Sequence, residues 1–122
     1  MGDAELLRML ATEADRRAPT IIDGVEALAG SGEKDSARIE ELRVEAHGLK
    51  GAALVVGQTR LADLARKIEQ FLSESVDSGR IEPGPAATIV AATSAFTEGA
   101  EAAAEGVGEP SSVGDSLEAL GD

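Results

Sequence analysis

The chain contains one histidine, His47, and no cysteine. Thiolate catalysis, disulfides and zinc sites of the usual Cys-containing kind are therefore excluded, and the single imidazole is a candidate nucleophile. That histidine stands in the run Val44-Glu45-Ala46-His47-Gly48-Leu49-Lys50-Gly51-Ala52-Ala53. An unperturbed imidazole titrates near about 6.5, so a neutral ring nitrogen is available at neutral pH without a strong base. Lys50 follows one helical turn later, where its ammonium can lie beside the ring. Gly48 and Gly51 remove side chains from the same outer surface. Each costs a helix interior about 1 kcal/mol relative to alanine, so close access to this face explains the pair better than stability does. Rival chemistries are weaker. A lone histidine without cysteine leaves only scattered carboxylates as metal ligands, none in calcium-loop spacing, and acids this abundant on helices are mostly solvated faces.

The elements that must hold these residues are helical. Leu7, Leu10, Ala14, Ala18, Ile21, Val25 and Leu28 recur at the spacing of one helix face, interrupted by Pro19. A proline removes a backbone donor and clashes with the preceding turn, so the pattern predicts a short helix ending near Arg17 and a second from about Pro19, or one kinked helix. Gly30-Ser31-Gly32 ends it. Asp35 or Ser36 can cap the next helix, whose seam is Ile39, Leu42, Ala46, Leu49 and Ala53. On a wheel of about 100° per residue His47 lies roughly 120° from the centre of that seam and should face solvent.

Gly57 marks a tight turn into a helix carrying Leu61, Leu64, Ala65, Ile68, Phe71, Leu72 and Val76, closed by Ser78-Gly79. Past Pro83 and Pro85, Ala86, Ile89, Thr93, Phe96, Ala100 and Ala103 define the last long helix. No run alternates like a half-buried strand. The expected fold is therefore all-α: an antiparallel up-down four-helix bundle with a short additional N-terminal helix. The bundle is expected over residues 1–106. Residues 107–122 read as a flexible acidic C-terminal tail or linker, in which Asp115 to Leu120 could form one marginal turn of helix.

Composition narrows the partners. The net charge of −12 repels phosphate backbones, and two phenylalanines without tryptophan or tyrosine leave little for bases to stack on, so nucleic acid is not expected. Residues 31–80 hold nine acidic and eight basic side chains, whereas 81–122 hold eight acidic and no basic ones, so an anion site belongs in the middle of the chain. No apolar run approaches the roughly 18 residues of a membrane span, and the N-terminus lacks a basic segment followed by an apolar stretch. The expectation is a cytoplasmic monomer that does not engage membranes.

The stretch from His47 to Glu69 resembles the signature of histidine phosphotransfer domains. That family carries a phosphoacceptor histidine, then lysine, a small residue, glycine, an apolar residue and Glu or Gln at characteristic distances, places held here by His47, Lys50, Gly51, Gly57, Leu61 and Glu69. The likeness is nearest to the N-terminal phosphotransfer domain of chemotaxis-type histidine kinases, through Ile68-Glu69-Gln70-Phe71-Leu72 and the Gly-Arg-Ile-Glu-Pro connection that follows. That group commonly places a second histidine where this chain has Arg66.

The resemblance implies a phosphorelay intermediate that carries a phosphoryl group on His47 and exchanges it with aspartates of receiver domains, in contact with a histidine kinase as a further partner. It implies a carrier and not an enzyme, without a cofactor of its own, the magnesium being held by the receiver. In that reading Nε2 accepts the phosphoryl group while a carboxylate holds Nδ1–H, Lys50 neutralises phosphoryl oxygens, Glu69 orients the imidazole, and Gly51 clears the approach. Glu69 also follows from numbering, since residues equidistant from a tight turn lie level in an antiparallel pair, and positions 47 and 69 are centred on 58, beside Gly57. Val44, Leu54 and Val55 lie off the core seam and could form an apolar docking patch. Two alternatives share the fold: a phosphoacceptor domain of a chemotaxis-type kinase separated from its kinase core, and a non-catalytic acidic helical adaptor in which His47 is incidental.

Overall fold

A computed structural model describes residues 3–121. All five elements are helices: α1 (Asp3–Ser31), α2 (Ser36–Val55), α3 (Thr59–Ser75), α4 (Pro83–Glu105) and α5 (Ser111–Leu120). The first four form an antiparallel up-down bundle in which α1 packs against α4 and α2, and α3 against α2 and α4. The all-helical class and the bundle agree with the sequence reading.

The ends of α1 and of the chain differ from it. α1 runs unbroken through Pro19, so there is no separate short N-terminal helix. Its buried stripe of Leu10, Ala14, Ala18, Ile21, Gly24, Val25 and Leu28 continues in register on both sides of the proline. Pro19 and Asp15, whose carbonyl loses its partner, both face solvent, where water can replace the missing bond. Burial of the continuous stripe outweighs the roughly 3 kcal/mol that an interior proline costs. The additional helix lies instead at the C-terminal end, where residues 111–120 form α5 rather than a flexible linker. Val113 is fully buried, and Leu117 and Leu120 pack on the core of α3 and α4. Gly99 of α4 makes room for this contact, because a Cβ there would meet Leu61 Cδ2 at 2.6 Å and Val113 Cγ2 at 3.0 Å. Arg60 of α3 donates to Glu109 at 2.9 Å, and the Lys67 ammonium donates to the Gly121 carbonyl.

Two turns fix how α2 and α3 face each other. Asp35 caps α2 by accepting from the Arg38 amide at 3.0 Å, while its own amide donates to the Gly79 carbonyl in the α3–α4 connection at 2.8 Å. At the other end Gly57 adopts φ +74°, and the Gln58 amide donates to the Ala53 carbonyl at 2.9 Å, closing α2 and reversing the chain. Ile39, Leu42, Ala46, Leu49 and Ala53 are then buried against Leu61, Leu64, Ala65, Ile68 and Leu72. Phe96 of α4 is the largest fully buried side chain, and the buried Thr93 hydroxyl is satisfied by the Ile89 carbonyl at 2.8 Å.

Candidate functional site

With the α2 seam turned inward, His47 projects outward with 61% of its side chain exposed. Its Nδ1 lies 3.0 Å from Oε2 of Glu69, which reaches across from α3 and is only 15% exposed. Lys50 donates to the other oxygen, Oε1, at 2.9 Å. His47, Lys50 and Glu69 are thus brought together as the sequence spacing predicts.

Sequence reasoning missed Arg43. Its Nη1 donates to Glu69 Oε2 at 3.1 Å, so one carboxylate gathers three donors from a single face of α2. The signal was present, since positions 43, 47 and 50 follow the four-then-three spacing of one helix face. Arg43 is also held by Glu40 of its own helix, through Nε to Oε2 at 2.9 Å and Nη2 to Oε1 at 2.6 Å.

The ionisation of Glu69 bears on which nitrogen carries the hydrogen in this contact. Burial works against its ionised form, but hydrogen bonds from Lys50 and His47 outweigh that effect and hold its carboxyl below the usual carboxylate range. An ionised carboxylate can only accept, so the hydrogen between the two residues belongs to Nδ1. A neutral ring in this tautomer carries its free lone pair on Nε2. The arrangement provides a positioned nucleophile with two cations beside it and a carboxylate behind it.

The two glycines serve different ends. A Cβ built on Gly51 meets nothing within 4 Å, so this side of His47 is open. At Gly48 a Cβ would come within 2.5 Å of the Arg17 guanidinium. Gly48 is therefore not part of a bare outer surface; it seats Arg17 of α1, which donates to Glu45 at 2.9 Å and to Glu13 at 2.9 Å. Val44, Leu54 and Val55 of α2 are exposed, as is Met9 of α1. Met9 and Val55 line a shallow groove between α1 and α2 that also takes in Leu6, Arg17, Gly48 and Ala52. Arg66, which stands where the chemotaxis-type likeness has its second histidine, turns to Asp63 at 2.8 Å and takes no part in the site.

Among the described residues no helix is long and apolar enough to cross a membrane, and no three His, Cys, Asp or Glu side chains are grouped to hold a metal ion. A sequence model described as the Hpt domain matches residues 5–106. No curated protein matches the chain.

Proposed function

The chain belongs to the Hpt domain family, a group of phosphocarriers in phosphorelay signalling rather than kinases, and on that premise we propose that His47 is the residue that accepts and returns the phosphoryl group, exchanging it with aspartates of receiver domains. The observation that carries this reading is the 3.0 Å contact between His47 Nδ1 and a carboxylate whose pKa is held low.

In the forward step the Nε2 lone pair attacks the phosphorus of a receiver's aspartyl phosphate. The N–P bond forms, the P–O bond breaks, and the aspartate leaves as a carboxylate. No proton has to move, because Nδ1 keeps its hydrogen. The ring therefore gains positive charge, which the Glu69 carboxylate stabilises from behind. Lys50 neutralises the phosphoryl oxygens, and the receiver supplies the magnesium. Reversal returns the group to an aspartate. The open space at Gly51 admits the partner, whose acceptor must come within roughly 3 Å. Val44, Leu54 and Val55 of α2, with Met9 of α1, supply exposed apolar surface on which the receiver docks.

Incubation with a phosphorylated receiver tests the proposal. Acid-labile label is expected on the wild-type chain and none on His47→Gln. Label that persists in His47→Gln, or that survives acid, overturns it.

A further inference from the structure

Glu69 has two oxygens, and the cations that hold them are not equivalent. Lys50 reaches Oε1 through one contact of 2.9 Å at the end of a flexible four-carbon stem. Arg43 reaches Oε2 from a guanidinium already gripped in two places by Glu40, at 2.9 and 2.6 Å, three residues earlier on the same helix. A planar fork held bidentately has little freedom left, whereas a singly bonded ammonium can swing. The oxygen that Arg43 holds is also the one that faces His47 Nδ1 at 3.0 Å.

We propose that Arg43 is a positioning residue that fixes Glu69 Oε2 against His47 Nδ1, leaving Lys50 free to exchange Oε1 for a phosphoryl oxygen. The second half rests on the phosphocarrier reading given above. A carboxylate held by Lys50 alone would lose its only cation at the moment the ring becomes positive. Braced through Glu40 and Arg43, it stays in place while Lys50 turns to the incoming group. Arg43 thus acts through Glu69.

Imidazole 15N spectra of the full unphosphorylated chain separate this role from a merely structural one. The wild type is expected to show the Nδ1–H tautomer. Arg43→Gln should move the ring shifts toward those of Glu69→Gln, Glu40→Gln should move them less in the same direction, and Lys50→Met should leave them near wild type. Transfer from a phosphorylated receiver should slow by about tenfold in Arg43→Gln, the loss typical of a group that orients a reacting side chain through another. Wild-type ring shifts in both Arg43→Gln and Glu40→Gln overturn the proposal, as does a Lys50→Met shift equal to that of Arg43→Gln. If the wild-type chain takes up no label, the phosphocarrier reading fails instead, and the ring shifts still decide the positioning role.

Discussion

Glu69 stands level with His47 across the α2–α3 seam, 22 positions further along the chain and 3.0 Å away, because the turn that begins at Gly57 falls halfway between them. The pair combines an exposed imidazole with a mostly buried acid, so the acid can govern the ring without occupying the face that a partner must reach.

Replacing that acid by its neutral isostere tests the pair. Glu69→Gln is expected to remove the preference for the Nδ1–H tautomer and to slow phosphoryl uptake by about 10- to 100-fold, the range seen when an orienting partner is lost. Its stability should fall by only about 1 kcal/mol, since the pairs it breaks are partly solvated. Transfer kinetics beside thermal melts measure both, and uptake at the wild-type rate would remove Glu69 from the mechanism.

The same carboxylate gives the fold an acid dependence of known sign. Its pKa in the folded chain lies below the unfolded value of about 4.3. Its contribution is therefore complete above that unfolded value and is lost as pH falls through the folded one. The difference in melting temperature between wild type and Glu69→Gln should narrow as pH falls below about pH 4. A gap that stays the same between about pH 5 and about pH 3 contradicts the ion cluster.

The two glycines flanking His47 should part company on substitution. Gly51→Ala enters open space and should stabilise the chain by up to about 1 kcal/mol, while Gly51→Arg should fold and obstruct transfer. Gly48→Ala gains the same helix propensity but pushes the Arg17 guanidinium away from Glu13 and Glu45, so its melting temperature should lie below that of Gly51→Ala. Gly51→Arg that transfers at the wild-type rate would show that the receiver approaches from elsewhere.

Denaturant melts can weigh α5. Val113→Ala should cost about 1–3 kcal/mol through the lost transfer energy and the cavity left behind. Ending the chain at Gly106 should cost more, because Leu117 and Leu120 leave as well. Equal midpoints for the full and shortened chains would mean that this packing contributes nothing.

Much of the site was legible because helical spacing is arithmetic. The inward seam from Ile39 to Ala53 turns His47 outward, and the turn at Gly57 sets Glu69 beside it. Arg43 escaped notice because an arginine beside two glutamates of its own helix reads as a solvated ion pair, and the position of Glu69 in space gives it a further partner. Gly48 was misread because the guanidinium above it comes from α1, and sequence gives no register between α1 and α2. Both remaining departures, the unbroken α1 and the folded α5, share a cause. A proline inside a helix and a 10-residue helix at the chain end are each unfavourable alone, and burial against neighbours decides them.

Pro19 also divides α1 where the backbone ladder lacks one amide, since no hydrogen bond can run from residue 19 to the Asp15 carbonyl. Local opening is easiest where fewer apolar groups are buried and backbone hydrogen bonds face solvent. The turns before the proline bury Leu10, Ala14 and Ala18, whereas those after it bury the bulkier set Ile21, Val25 and Leu28. Amide hydrogen exchange should accordingly show two levels of protection along one helix, the lower before Pro19. The turns before Pro19 can then loosen while the half of α1 that buries the bulkier side chains stays closed.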